Sequence, residues 1–424
     1  MINCNIILQR YNIILKYIIY MVKLSKKKNI NRKFILKNRL HKSSRRKYPK
    51  RGGGYTASLS INKPLLMILM TPALNDDTTL IFTITNTEKH EIVHYNNIRC
   101  LGKGTYGKVF LIHNDGNNYV IKIGHNYPED LLNEPRFLDK IMSTVIPSCN
   151  YTAVSQGITQ IDEHRVGHII FPYKGGSNLY QITQDETKHA LIPKILRDVV
   201  TCLIDITKYS CHGDLKLENI VYDDASNTGF IIDFGLATPF DMTISSLYDL
   251  NIGKRQLSVE VIVGYLHQNI KKNVSILDSL YLEHLDTIQK TIDNFGLFWV
   301  IVESISDINI DSYIGSNTTE FLIQSRTPKL FSDYLNFYFN LDSNETPLVL
   351  ELRKLFNYKP LPELRQDFID DVYSEMTLEQ YEIYFNNDDD LFNTFMTKVL
   401  GLITVDPTMR IPKEVLLQDP FFYK

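Results

Sequence analysis

The stretch "IRCLGKGTYGKVFLIHNDGNNYVIKI", residues 98–123, sets Gly102, Gly104 and Gly107 between two runs of strand-forming residues. A G-x-G-x-x-G triad in a dinucleotide-binding βαβ unit opens a helix. Here Val109, Phe110, Leu111 and Ile112 follow it, which is strand chemistry. The glycines therefore cap a hairpin, where a backbone without side chains lets phosphate oxygens come close. Asn114, Asp115, Gly116 and Asn117 read as the next turn. The strand after it carries Lys122 beneath the glycine loop, enclosed by Val120, Ile121 and Ile123. A strand lysine standing alone would snorkel to water, so the rest of the chain must decide its role.

Further along, "HGDLKLEN" (212–219) packs ionisable groups side by side. "NIVY" (219–222) and "GFIIDFG" (229–235) predict a β-hairpin with Asp223 to Thr228 as its turn. Residues 212–219 then form the loop leading into that hairpin, and their side chains converge on one cleft. Phosphoryl transfer needs such a set: an orienter for the attacking hydroxyl, metal ligands and fixed positive charge.

Together with "IIDFGLA" (231–237) and "LITVDPTMRI" (402–411), these stretches resemble, in order, the motifs of the protein kinase superfamily. The resemblance covers about residues 98–424. It implies an α+β, two-lobed fold: a small antiparallel β lobe with one helix, about 90–171, and a larger, mainly helical lobe, about 172–424. Residues 305–390 would be an acidic, aromatic insertion. The cofactors implied are ATP and Mg2+, with Mn2+ as a substitute. Leu101, Gly102, Lys103, Gly104, Thr105, Tyr106 and Gly107 would cover the nucleotide, Val109 and Val120 would sandwich the base, and Phe171 would be the gatekeeper. Backbone groups near Tyr173 would meet adenine. Lys122 would hold phosphates with Glu134 as its helix-borne partner, although Pro135 is unusual beside it. Asp214 would accept the substrate hydroxyl proton, Lys216 would stabilise the γ-phosphate, and Asn219 and Asp233 would hold the metal.

Lys216, two residues after Asp214, marks the Ser/Thr protein kinase branch of that family. The H-G-D triplet also occurs in aminoglycoside and choline phosphotransferases, so a small-molecule phosphotransferase stands as an alternative, and a pseudokinase scaffold as another. Gly213 replaces the arginine that in most protein kinases receives a phosphorylated activation-loop residue. The segment from Leu236 to Val259 offers Thr238, Thr243, Ser245, Ser246, Tyr248 and Ser258, yet none is expected to act as a switch. Packing through Phe240, Leu247 and Leu250 would order it instead. Ser258–Val259–Glu260 is the nearest match to A-P-E, which implies that Glu260 pairs with Arg410. Asp293 would bind the backbone of the catalytic loop.

Composition adds a division of charge. The 424 residues carry a formal net charge of −2, but residues 1–75 hold 17 Lys and Arg and no acid, against 29 basic and 48 acidic residues in the remainder. The arm is expected to be disordered. Within it, residues 5–22 fit an amphipathic helix with a polar stripe at Asn5, Gln9, Asn12 and Lys16, unless translation starts at Met21. Residues 1–51 would suit nucleic acid or an anionic membrane, alongside an unidentified protein substrate. The five scattered cysteines imply reduced thiols in an intracellular, cytoplasmic protein, with the nucleus or a membrane surface as alternatives. An isoleucine-rich composition and compressed motifs point to an enzyme of a large DNA virus, working in a host cell.

Overall fold

Alternation of apolar and polar residues between Ala57 and Pro172 builds one sheet whose inner face is closed off from water. The computed structural model describes residues 57–61, 80–86, 91–104, 107–124, 128–142, 153–161, 164–240, 253–270, 281–309, 328–361 and 363–424. All belong to one compact unit, Gly54–Lys424. The sheet has seven strands: β1 (Ala57–Ile61), β2 (Ile81–Asn86), β3 (Glu91–Gly104), β4 (Gly107–Asn114), β5 (Asn117–Gly124), β6 (Ser155–Ile161) and β7 (His164–Pro172). They run antiparallel in the order β1-β2-β3-β4-β5-β7-β6. The glycine hairpin forms as read, with Gly104 opposite Gly107, and the next turn places Asp115 and Gly116 at left-handed φ of 47° and 80°.

The small lobe starts earlier than the boundary near residue 90. Strands β1 and β2 are too short to stand out beside a basic arm, but their inner residues, Ala57, Leu59, Phe82 and Ile84, are buried. The sheet also curls until its outer strands touch: the Leu59 amide donates to Thr159 Oγ1 at 2.9 Å. Phe110, Ile121, Val166 and Ile170 pack inside this curl. His168 of β7 is fully buried, and neither ring nitrogen is hydrogen-bonded among the described residues.

Between β5 and β6 lie α1 (Pro128–Leu131) and α2 (Asn133–Met142). Pro135 sits in the first turn of α2, where its missing N–H has no intrahelical partner to lose, so Glu134 stays helical. The chain leaves β7 through Tyr173, whose amide donates to Asn118 O at 3.1 Å, and β8 (Ser177–Asn178) ends in a capping box on α3 (Leu179–Thr183).

The larger lobe is mainly helical. Helix α4 (Ile192–Ile206) turns an apolar face to the core, and its Asp198 accepts a hydrogen bond from the Gly229 amide at 3.0 Å. That contact pins the expected hairpin, β10 (Ile220–Asp223) and β11 (Thr228–Ile231). β9 (Ser210–Cys211) pairs with β12 (Thr238–Pro239). Helices α5 (Val259–Ile270) and α6 (Leu285–Thr291) precede α7 (Asp293–Ile305), every residue of which is buried.

The aromatic stretch read as an insertion supplies the cover of α7. Phe337 stacks on Trp299 at 5.3 Å, Phe368 on Phe298 at 5.8 Å, and Tyr338 meets Phe295 edge-on at 5.0 Å. Asp342 fastens this layer by accepting from the Val405 amide at 2.7 Å. The expectation of reduced thiols holds for Cys100 and Cys211 but fails at Cys202, which is disulfide-bonded. Disulfides depend on proximity in space, which scattered cysteines do not reveal in sequence. Residues 1–56, with the amphipathic reading of 5–22, lie outside the described residues, as do Thr105, Tyr106 and 241–252 with Thr243, Ser245, Ser246, Leu247, Tyr248 and Leu250.

Candidate active site

Strand β5 alternates, so Ile121 and Ile123 point into the small-lobe core and Lys122 points out of it. Its ammonium donates to Glu134 Oε2 at 2.7 Å and to Asp233 Oδ1 at 2.9 Å. Glu134 Oε1 in turn accepts from the Phe234 amide at 3.1 Å. One glutamate thus joins a strand, a helix and the loop after β11. Burial pushes the Glu134 carboxyl up, only partly opposed by Lys122. At Asp233 burial also pushes up, but the charge and hydrogen bond of Lys122, with help from His212 and Lys216, bring the carboxyl below its usual range. The two carboxylates on one ammonium are therefore driven in opposite directions.

The loop 212–219 folds around Asp214. Its Oδ2 accepts from Lys216 Nζ at 2.9 Å and from Asn219 Nδ2 at 3.1 Å, while Asn219 also donates to the Asp214 carbonyl at 2.7 Å. Burial would lower the Lys216 pKa, yet the charge and hydrogen bond of Asp214, together with the charges of Asp233 and Glu218, outweigh it and the net shift is upward, so the side chain stays cationic. Asp233 and Lys216 also feel each other's charge, which links the strand-borne set to the loop-borne set.

The loop backbone is held from below. Asp293, fully buried at the start of α7, accepts from the His212 amide at 2.7 Å and the Gly213 amide at 3.0 Å. This exceeds an N-cap: a carboxylate with two backbone donors fixes the loop as charge-assisted hydrogen bonds do. His212 was legible only as part of the motif, and its work is structural. Its Nδ1 accepts from the Asp214 amide at 3.2 Å, which leaves Nε2 to donate to the Ile232 carbonyl at 3.1 Å. Its ring meets Phe234 at 4.8 Å, and Phe234 stacks on Phe137 of α2 at 5.9 Å. Three rings therefore run from the small-lobe helix to the 212–219 loop, a chain no single motif announced.

Gly213 adopts φ +80°, and a Cβ there would lie 2.8 Å from the Leu236 carbonyl oxygen. Gly107 is likewise required, since a Cβ would fall 1.7 Å from Ile123 O. Val120 lies opposite Phe171 in the β5–β7 pairing, Val109 opposite Lys122 in the β4–β5 pairing, and Lys122 Nζ is 6.0 Å from the Phe171 ring centre. Leu101 and Gly102 are exposed on β3, and Tyr173 follows β7 directly. The sequence-predicted residues that are described, Lys103 and Gly104 of β3 included, thus line the hairpin, the strand beneath it and the loops below. Glu260 and Arg410 form a fully buried ion pair, with Arg410 also donating to Thr291 Oγ1 at 2.9 Å and Thr404 O at 3.0 Å.

Residues 95–276 match the protein kinase domain family. The matched segment contains Lys122, Glu134, Asp214, Asn219, Asp233 and Glu260. No curated protein matches the chain. Among the described residues no helix is long and apolar enough to cross a membrane, and no three or more His, Cys, Asp or Glu side chains gather into a metal cage.

Proposed function

We propose that this chain, whose residues 95–276 match the protein kinase domain family, is a Ser/Thr protein kinase that moves the γ-phosphate of ATP to protein hydroxyls. The observation that carries this reading is the linked pair of clusters, Lys122–Glu134–Asp233 and Asp214–Lys216–Asn219. Lys122 supplies fixed charge for the nucleotide phosphates, and Glu134 keeps it pointed there. Asp214 orients the acceptor hydroxyl and takes its proton, with Lys216 beside it to meet the charge of the transferring group.

The donor set suits Mg2+ or Mn2+. Asn219 spends its Nδ2 on Asp214, which leaves its carbonyl oxygen as a hard ligand, and Asp233 adds a carboxylate. When bound, the metal supplies charge neutralisation at the phosphates.

The H-G-D triplet favours the rival reading, a small-molecule phosphotransferase. Labelled ATP offered with basic proteins, acidic proteins and aminoglycosides separates the two. Phosphate on serine or threonine supports our reading, and phosphate on the aminoglycoside alone overturns it.

We also assign activity without activation-segment phosphorylation. At Gly213 no cation waits for a phosphate, and Arg255, near the end of the segment, is engaged by Glu303 through two hydrogen bonds of 2.9 Å. Phosphatase-treated enzyme should keep its rate, and a loss of about 100-fold, some 2.7 kcal/mol, would overturn the assignment. For the basic arm, residues 1–51, contact with nucleic acid predicts that affinity falls roughly 10³–10⁵-fold between about 50 and 200 mM salt. Retention on anionic vesicles alone would assign it to a membrane surface.

A further inference from the structure

We infer that Gln256 is a positioning residue for Asp214, and that the glycine at 253 is what lets it work. Gln256 is fully buried, yet its Oε1 has no hydrogen-bond partner among the described residues. Its Nε2 donates at 2.7 Å to the carbonyl of Leu215, the residue between Asp214 and Lys216. Flipping the amide would set oxygen against oxygen, so the hydrogen bond fixes the orientation. An orphaned buried acceptor costs about 1–3 kcal/mol, and a structure selected for stability alone would place an apolar side chain here.

Around this side chain, two glycines make room. A Cβ on Gly296 of α7 would lie 2.1 Å from Gln256 Nε2. A Cβ on Gly253 would lie 2.3 Å from Asp214 Oδ1 and 2.7 Å from Gln256 Oε1, and the Gly253 amide donates to Gly213 O at 2.7 Å. The segment returning from 241–252 is thus latched to the catalytic loop at two carbonyls, those of Gly213 and Leu215, which bracket Asp214. The latch is made of neutral hydrogen bonds and one flush backbone contact. Lys216 and Asn219 hold Oδ2 of the aspartate, Gly253 closes its Oδ1 side, and Gln256 holds the next residue's carbonyl. The acceptor hydroxyl meets a carboxylate whose direction is set from both sides.

This inference rests on Asp214 being the group that meets the acceptor hydroxyl. The test compares wild type, Asp214→Ala, Gln256→Met and Gln256→Glu in the full chain. Methionine keeps the volume and removes both the donor and the orphan. We expect an unchanged thermal midpoint and unchanged KM for ATP, with kcat down about 100-fold, the effect of a misplacement near 1 Å. Gln256→Glu should donate only as the neutral acid, so its rate relative to wild type should fall as pH rises. Loss of rate in Gln256→Met in proportion to lost folded protein would mean a structural role and overturn the inference. A dead Asp214→Ala beside a fully active Gln256→Met overturns this inference alone. Wild-type activity in Asp214→Ala overturns the site reading and this inference with it.

Discussion

Lys122 and Arg410 each meet a buried glutamate, and there the likeness ends. Lys122 divides its ammonium between Glu134 and Asp233, with 14% of its side chain still exposed. Arg410 and Glu260 are at 0% exposure, and the guanidinium is further held by Thr291, Thr404 and the Phe295 ring at 4.8 Å. A cation with two competing carboxylates can hand one of them to a ligand at little cost. A cation enclosed on every side can release nothing, because each partner left behind would be a buried, unpaired charge. One ion pair is built to be rearranged and the other to be left alone.

The largest effect should come from breaking the enclosed pair. Glu260→Ala is expected to cost about 3–5 kcal/mol of folding stability, read from the urea midpoint. A cost below about 1 kcal/mol would erase the contrast, since that is the worth of a surface pair. Next in size, Lys122→Met should lower kcat/KM by about 10²–10³-fold with little change in the thermal midpoint. If it unfolds the protein as Glu260→Ala does, both pairs are structural and the comparison collapses.

His168 offers a third way to handle a buried titratable group, by keeping it neutral. Burial lowers its pKa from 6.5 to about 4. The unfolded chain therefore binds the proton more readily, and stability present above pH 6.5 is lost as pH falls toward 4. At about 1.4 kcal/mol per unit, the loss approaches about 3 kcal/mol, and His168→Leu should abolish that part of the acid sensitivity. Identical acid denaturation curves would place the sensitivity elsewhere. The smallest effect belongs to the arm: deleting residues 1–51 should leave kcat unchanged, and a large drop would mean that the arm serves catalysis.

Local patterns carried most of the candidate site. Lys122, Asp214, Asn219 and Asp233 were legible because each sits in a short strand or loop whose neighbours fix where it points. Asp293 was legible as a helix-start acid, though its two backbone partners lie 80 and 81 residues away. What stayed hidden depends on contacts between distant segments. Gln256 looks like any polar residue until Leu215 and Gly296 close around it. The aromatics of 328–374 read as an insertion because their partners, Phe295, Phe298 and Trp299, belong to a helix whose sequence reads as complete without them. Strands β1 and β2 were missed because five or six residues of alternation carry little weight beside a charged arm.

Gly213 has a consequence for how such a protein can change over generations. Its backbone is left-handed, and the Leu236 carbonyl already fills the place where a side chain would start. A single substitution to arginine would meet strain and collision together, before any phosphate arrived to reward it. The chain around Leu236 would have to move first, by a change with no benefit of its own. Descent from this sequence toward control by phosphorylation is therefore a two-step path with a disfavoured intermediate, and the glycine acts as a ratchet against it.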